Sequence, residues 1–462
     1  MDNFDSKGKT VKHLIAWALA AVSGLGAMAA AAADMSLSGF GTLGYAKSNQ
    51  PYKYERFIDD HGSFARDSVV GMQADVKFTE SIGATVQGKF ARSVKNDASW
   101  EPALTWAFVS WRPSDDLLIR LGKQRVPLFL NSENMDVGVT HDFAHLPSEM
   151  YSLMPSTDYI GVSLSKSWNP SLGELTLDGY KGSINTKWRT YQRDDIRLPP
   201  QYHSDPGASF WPLNVDNSGI TLTLLRGDDK YRASLNKSKI SPEPGQMFIG
   251  YVSLVPAAVV IPEMEQSLGL SPGALAGTLS GSAFTVLPEG LVTHVDLLVY
   301  TFGAEIHLPE GYRLSGEVFH RRLLNQVNGV HNNGGYLALF KDVGRWTPYV
   351  SYGKIKSRAD VLNNYQIANT NANGVTALAP ALAPAAAAIN ASQRVFADGM
   401  QVLDQDTVAL GTSYRLTPNQ KLKFEWARTH VGIASSLVNA PSFGNVSNQN
   451  IDVLSFSYNF AF

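Results

Sequence analysis

Ionisable side chains are concentrated in one segment of the chain, Arg125–Thr157, where they offer several kinds of chemistry. They are Glu133, Asp136, His141, Asp142, His145 and Glu149. His141 and His145 are four residues apart, so a helix would place both imidazoles on one face, and Asp142 or Glu149 would supply a third metal ligand. The HExxH pattern is missing, however, and the neighbouring residues are typical of a loop. We therefore predict no metal site, and histidines that face water and titrate near their ordinary pKa of about 6.5.

A catalytic reading of the same residues finds less support. Catalysis would require a nucleophile and a base that are oriented by a third group. Serines and histidines are present, but no nucleophile-bearing motif such as G-x-S-x-G occurs. The sequence therefore favours a protein that is not an enzyme and needs no cofactor. The remaining possibility is that these charges line a water-filled passage and act through their electric field.

The elements that must position these charges are predicted to be β-strands, because large apolar and polar residues alternate along them. In "QKLKFEWA", residues 420–427, apolar side chains occupy one face and charged side chains the other. The final residues, "LSFSYNFAF", follow the same rule, with Phe456, Tyr458, Phe460 and Phe462 on one face. Such a strand would invite aggregation if its edge stayed unpaired.

Sixteen such segments are expected, and their connections alternate strictly between short and long. The predicted strands are 35–46, 66–78, 82–92, 102–112, 116–124, 158–168, 173–182, 217–226, 229–240, 291–308, 311–324, 335–341, 345–357, 402–416, 420–432 and 450–462. This rhythm, with an even strand number, is typical of closed barrels in bacterial outer membranes. A soluble β-sandwich would not sort its loops by length, and a β-solenoid would need a repeat that the chain lacks. Counts of 14 or 18 strands stay open at this stage, since boundaries are uncertain by several residues.

The bulk composition agrees with an exported barrel. The 462 residues carry 39 Lys plus Arg against 41 Asp plus Glu, so nothing favours nucleic acid as a partner. Cysteine is absent, as suits an oxidising compartment. Three lysines precede the apolar run "LIAWALAAVSGLGAMAA", and small residues follow it. This predicts a signal peptide over residues 1–33 that is cleaved between Ala33 and Asp34, leaving 34–462 as one barrel domain.

These features resemble the outer-membrane porins of Gram-negative bacteria. The resemblance is carried by the signal peptide, the Gly-rich first strand "MSLSGFGTLGYA", the sixteen-strand rhythm and the terminal "SFSYNFAF". It implies a transmembrane antiparallel β-barrel with short periplasmic turns and long extracellular loops, closed by pairing of its first and last strands. It further implies contact with outer-membrane lipid and lipopolysaccharide, a homotrimer, and recognition of Phe456, Tyr458, Phe460 and Phe462 by the barrel-assembly machinery.

The resemblance also implies that the third long loop, Arg125–Thr157, folds into the lumen and narrows the pore. Its acidic residues would then face a basic wall and create a transverse electric field. The expected pore-lining and constriction residues are Arg120, Arg125, Glu133, Asp136, His141, Asp142, His145, Glu149, Lys89, Arg313 and Arg321. The porin motif of Pro-Glu-Phe followed by glycines is replaced here by "VPLFLNSENMDVG". General-porin selectivity is therefore not carried over to this chain.

The function expected from these observations is passive diffusion of small hydrophilic solutes and ions. Two alternatives remain: a channel selective for anions, sugars or organic acids, and an adhesion or binding barrel with a plugged lumen. Two long loops bear on this choice because they differ in composition from the others. The fifth, Ser241–Gly290, is expected to form short helices at "PEMEQSLGL" and "PGALAGTLSGS". The Ala/Pro-rich stretch Gly374–Ala391 is expected to be a mobile or partly helical surface segment of the seventh.

Overall fold

Sixteen antiparallel strands form one closed barrel, in which each strand pairs with its neighbours in the sequence. Strands β1 to β16 are Asp34–Ser48, Val69–Lys77, Ile82–Arg92, Trp100–Ser114, Leu117–Arg125, Asp158–Trp168, Glu174–Gln192, Gly207–Arg226, Asp229–Pro242, Val295–Leu308, Tyr312–Leu323, Asn332–Lys341, Trp346–Ser357, Leu403–Thr417, Gln420–Ser435 and Asn450–Ala461. β1 and β16 close the ring, with Gly41 opposite Phe460 and Tyr45 opposite Phe456. The predicted fold class, strand number and closure are confirmed.

The computed structural model describes residues 34–152, 156–198, 202–250, 253–267, 269–285, 288–326, 329–370, 374–378, 380–442 and 444–462. Residues 1–33, the predicted signal peptide with Ala33, lie outside this description, and Asp34 is the first residue of β1. The proposed cleavage between Ala33 and Asp34 therefore stays a prediction.

The outer face of the barrel is apolar and the inner face polar, as the alternating sequence requires. In β16, Leu454 and Phe456 are exposed, while Ser455, Ser457 and Asn459 are buried on the inner face. The β1–β16 seam is tight because aromatic rings cover glycines. A Cβ added to Gly41 would lie 2.5 Å from the Phe460 ring. No helix in the described ranges is long and apolar enough to cross a membrane.

The β7–β8 hairpin is much longer than predicted. It is paired continuously from Glu174–Leu225 to Gln192–Gly207, whereas the sequence pattern placed its ends near 182 and 217. A membrane-spanning strand needs only about 9–11 residues. The upper half of the hairpin therefore stands beyond the membrane, where neither face must be apolar and the alternation signal fades. β10 starts at Val295 rather than 291, because Leu291 and Val292 pair with Phe248 and Ile249.

Among the described residues, four helices lie in the long connections: α1, Ser148–Tyr151, α2, Ala257–Ser267, α3, Ala359–Thr370, and α4, Ala383–Gly399. Single 3₁₀ turns occur at Gly138–Thr140, Pro288–Gly290, Pro309–Gly311 and Pro380–Leu382. Short hairpins pair Ile196–Leu198 with Tyr202–Ser204, and Ser253–Pro256 with Ser282–Thr285. Leu279–Ser280 pairs with Thr376–Ala377 and so joins the fifth loop to the seventh. Of the two helices expected in the fifth loop, the first overlaps α2, and the second is wrong because Pro272–Ser282 forms turns and short strands.

The fifth and seventh long loops, residues 243–294 and 358–402, pack on each other and are called the cap here. Phe284 of the fifth loop is buried against Val361, Leu362 and Tyr365 of α3. A second cluster joins Ile261 of α2 and Leu275 to Val375 and Ala386 of the seventh loop. Each loop thus buries apolar side chains that it could not bury alone. The cap is a small folded unit above the barrel.

The third long loop, residues 126–157, folds into the lumen as expected and is called the inner loop. Its apolar side chains Leu128, Phe129, Phe143 and Met150 are buried in the interior of the barrel. They pack against inward-facing wall residues such as Val299, Phe319, Tyr336, Phe340 and Tyr349. Phe143 is ringed by three aromatic partners, with ring centroids 5.0 to 5.7 Å away. The lumen therefore contains a hydrophobic core of its own.

Candidate functional site

The first anchor of the inner loop is Asp136. Its carboxylate lies 2.7 Å from Lys89 Nζ on β3 and 2.8 Å from Arg125 Nη2 at the end of β5. Arg125 also donates from Nε to Asp158 at 3.3 Å, so it joins the two ends of the loop. Burial alone would raise the pKa of Asp136, but Lys89 and Arg125 outweigh it and hold this pKa well below the usual range. Asp136 is therefore ionised and fixed at ordinary pH.

The second anchor is Asp142, which meets the opposite part of the wall. Its carboxylate accepts hydrogen bonds from Arg313 on β11, from Ser413 Oγ on β14 at 2.7 Å and from Lys421 Nζ on β15 at 2.7 Å. Burial opposes ionisation, yet Lys421 and Arg313 bring the pKa of Asp142 well below its usual value. The neighbouring Lys423 donates to the carbonyl of Phe143 at 2.8 Å. Strands far apart in sequence are thus tied together through one aspartate.

A third group of contacts holds the start of the inner loop. Arg232 on β9 donates to Glu133 Oε2 at 2.9 Å and to the carbonyl of Phe129 at 2.6 Å. Glu317 on β11 accepts from the backbone N–H of Leu130 at 2.8 Å and from the Tyr151 hydroxyl. Arg232 and Glu317 were not among the expected site residues. The sequence shows that both residues lie on the polar face of an alternating strand. It does not show that they bind the backbone of the inner loop.

Glu149 and His145 take part in a buried network instead of facing a channel. Glu149 in α1 is 2 % exposed and accepts from Gln405 at 2.8 Å and Thr407 at 2.5 Å. Its burial raises its pKa. His145 Nδ1 lies 2.7 Å from Asp67 Oδ1 of the first long loop. Burial and Arg66 lower the pKa of His145, but Asp67 and Glu55 more than compensate and raise it.

His141 has a different environment from His145, and the two do not share one site. Its Nδ1 lies 3.3 Å from Lys423 Nζ. Burial, and then the charges of Lys423 and Lys421, lower the pKa of His141 well below its ordinary value. Residues 141–147 are not helical, so the spacing that suggested a shared metal site does not bring the imidazoles together. Within the described ranges, the residues whose ligand atoms lie close enough together to hold a metal ion are Asp59, Asp60 and His61.

The inner loop packs closely against β8 to β15 and reaches β3 and β5 through Asp136. Beneath it the polar wall residues of β8 to β15 are buried: Thr221, Asn236, Glu317, Arg321, Ser413 and Lys423. Arg321 donates to Asn332 Oδ1 at 3.0 Å within this wall. On β2 to β5, Gln87, Thr105 and Gln124 are buried as well, but Asp75, Thr85, Ser110 and Arg120 remain partly exposed on the inner face. Arg120 lies 5.4 Å from the centroid of the Phe108 ring. Glu133 and Asp136 of the inner loop keep 41 % and 17 % of their side-chain surface exposed.

These observations decide the architecture: a closed ring of sixteen strands, an apolar outer face and a third loop folded into a polar lumen. Sixteen strands leave room for an aqueous channel, whereas barrels of eight do not. The chain is a closed sixteen-stranded antiparallel β-barrel with a loop inside its lumen.

Several solved structures are similar to this chain over 93 % of its length. An anion-selective porin from Comamonas acidovorans is 11 % identical, with all of that chain covered (100 %) and a TM-score of 0.47. OmpF of Salmonella typhi, in complex with daunomycin, is 10 % identical over 97 % of that chain at 0.47. The outer-membrane protein OmpT of Vibrio cholerae, in a trimer form, is 9 % identical over 100 % of that chain at 0.47. Neither a family model nor a curated protein sequence matches this chain.

Proposed function

We propose that this barrel is an outer-membrane porin, a water-filled channel through which small hydrophilic solutes and ions diffuse passively. The observation that supports the proposal best is the uneven lumen. One side is filled by the inner loop and its hydrophobic core, whereas several inner side chains of β2 to β5, among them Asp75, Thr85 and Arg120, stay polar and partly exposed. A polar passage beside a fixed loop transmits hydrated solutes and penalises apolar ones.

The proposed constriction lies between Arg120 on one side and Glu133 with Asp136 on the other. Lys89 is also placed at the proposed constriction, because it forms an ion pair with Asp136. Arg125, Asp142, Arg313, His141 and His145 are assigned to holding the inner loop, and Glu149 and Arg321 to the buried wall. The ionisable groups of the inner loop are engaged in these anchoring contacts, which supports a diffusion channel over an enzyme.

The partners in this proposal are outer-membrane lipid and lipopolysaccharide around the apolar face, and two further copies of the chain in a homotrimer. A trimer form has been described for the Vibrio cholerae protein. Phe456, Tyr458, Phe460 and Phe462 are proposed as the signal for the barrel-assembly machinery, and residues 1–33 as a cleaved signal peptide. No cofactor is invoked.

Reconstitution of the full barrel in planar bilayers tests the proposal. Ohmic current steps with weak ion selectivity are expected from a diffusion channel. Small steps that one class of solute blocks would instead support a selective channel, the nearest alternative. Repeated insertion without any current would contradict both and favour a binding barrel with a plugged lumen.

A further inference from the structure

Three arginines from separate elements meet at Asp97 at the loop end of the barrel: two bind its carboxylate and the third binds its backbone carbonyl. Arg56 of the first long loop donates from Nε to Asp97 Oδ1 at 2.9 Å, and Arg189 of β7 donates from Nε to Asp97 Oδ2 at 2.9 Å. Arg92, the last residue of β3, donates to the backbone carbonyls of Asp97 and Ala98. These residues, Arg56, Arg92, Arg189 and Asp97, are called the mouth cluster.

The mouth cluster lies across the entrance and not on the outer rim. Arg189 also donates from Nη2 to Asn439 Oδ1 at 3.1 Å, and Asn439 belongs to the connection between β15 and β16. In a ring of sixteen strands, β7 and this connection are on opposite sides. They can meet only over the lumen, so a solute that enters from the loop end passes the mouth cluster.

The cluster carries more positive than negative charge. Two of its three guanidinium groups, those of Arg56 and Arg189, share the single carboxylate of Asp97, and Arg92 binds backbone carbonyls beside it. The nearby Glu55 is already paired with Arg66 at 3.0 Å. Burial, and also the charges of Arg189 and Arg92, lower the pKa of Arg56 although Asp97 acts in the opposite direction. A second anion would relieve this repulsion.

Hydrogen-bond donors remain for such an anion. Within the described ranges, Nη1 of Arg56 and Nη1 of Arg189 make no hydrogen bond, and the buried Nε of Arg92 has no acceptor. Guanidinium groups bind carboxylates through paired N–H donors, as Asp97 itself illustrates. The donors are therefore of the type and geometry that recognise an oxyanion.

Aromatic rings beside the cluster add an apolar contact surface. The Phe57 ring centroid lies 4.9 Å from Cζ of Arg56 and 5.2 Å from Cζ of Arg92. Phe210 of β8 lies 5.7 Å from Arg56 Cζ. An anion with an organic body would contact these rings while its charged end meets the arginines, whereas an inorganic ion would use the charge alone.

We propose that the mouth cluster is a binding site for small organic carboxylates at the channel entrance. As a step in uptake this rests on the proposed porin function, but binding itself does not. The site would concentrate such anions at the mouth before they reach the passage beside Arg120.

Calorimetric titration of benzoate into the detergent-solubilised full barrel tests binding directly. Arg92→Gln, which leaves both arginine–Asp97 pairs intact, is expected to weaken benzoate binding by about tenfold, the loss typical of one charge-assisted hydrogen bond. Arg189→Gln should do the same. Lys95→Gln is the matched control, because Lys95 is an exposed cation on the same loop outside the cluster, and it should leave the affinity unchanged.

The remaining outcomes separate this site from the channel proposal. Benzyl alcohol should not bind, and inorganic phosphate should bind more weakly than benzoate. Equal binding of phosphate, or equal losses in Lys95→Gln and Arg92→Gln, would overturn the inference even if the barrel conducts. Benzoate binding that depends on Arg92 in a barrel without current would uphold the site and reject the porin function.

Discussion

At the scale of single residues, the acids of the inner loop fall into two groups that the sequence presents as one. Glu133 is 41 % exposed at the edge of the loop, whereas Glu149 is 2 % exposed behind it. Both are carboxylates in one polar loop, so residue type alone does not tell which of them affects ion selectivity. Of the two, Glu133 is the one that borders the proposed passage.

Replacing Glu133 by Gln should lower the preference of the channel for cations. The change removes a negative charge beside the passage and leaves Arg120 and Arg232 without their counter-charge. In bilayers with a KCl gradient, we expect the reversal potential to move by several millivolts towards that of an anion-selective pore. Glu149→Gln and Asp228→Asn, a turn residue, should not move it. Equal shifts in all three variants would exclude a constriction at Glu133.

His145 should make the stability of the barrel depend on pH. Its pKa is raised in the folded state, so its contribution is complete below the unfolded pKa of about 6.5 and is lost as pH rises through the folded value. Asp67 and Glu55 have lowered pKa values and stay ionised throughout this range.

The thermal unfolding midpoint of the detergent-solubilised barrel should therefore be a few degrees lower at pH 9 than at pH 6. His145→Asn should abolish most of this difference. His61→Asn, which changes an exposed histidine of the first loop, should retain it. A pH dependence that His145→Asn leaves unchanged would assign the effect to other groups.

At the scale of elements, the inner loop depends on a few ion pairs that join distant strands. Asp142→Asn should destabilise the barrel by about 3 kcal/mol, because Arg313 and Lys421 lose their shared carboxylate in a mostly buried site. We expect a lower unfolding midpoint and a noisier open-channel current. Asp115→Asn, in an exposed turn, serves as the control. Unchanged noise and stability would mean that the hydrophobic core alone fixes the loop.

Strands can be predicted from the alternation of apolar and polar residues where they cross the membrane, but not beyond it. Between the interfaces, lipid forces an apolar outer face, so strands such as β16 follow from alternation alone. Beyond the membrane that constraint ends, and the extensions of β7 and β8 around Trp188 and Trp211 could not be recognised. The inner loop was located by its length, but Phe143 and Met150 gave no sign of a core. That core depends on partners such as Tyr336 and Phe340, which are far away in sequence.

At the scale of the whole molecule, the β7–β8 hairpin is fastened to the cap across the entrance. Arg193, next to the end of β7, donates from Nε to Asp398 Oδ1 of α4 at 2.6 Å. Both side chains are almost fully buried, at 4 % and 6 % exposure. Arg193 also donates from Nη2 to Asn369 Oδ1 at 2.9 Å. The entrance is therefore bridged by a buried ion pair and not by loosely placed loops.

Asp398→Asn should release this bridge, since Arg193 would be left without its buried counter-charge. We expect faster amide hydrogen exchange in α4 and in the upper part of the β7–β8 hairpin, with the barrel strands near the turns unaffected. Asp205→Asn, an 83 % exposed residue of the same hairpin connection, is the control. Unchanged exchange in α4 would show that apolar packing within the cap is sufficient.

The hydrophobic core inside the lumen has a mechanical consequence. A hollow cylinder is easily flattened by sideways pressure, but a cylinder packed on one side resists deformation along the packed arc. In this barrel, β6 to β14 contribute aromatic or aliphatic side chains to this core, and β2 to β5 do not. Bending of the ring should therefore be confined to the unbraced arc, the same arc that borders the passage. Thicker or stiffer bilayers would then change the width of the passage more than they change the rest of the barrel.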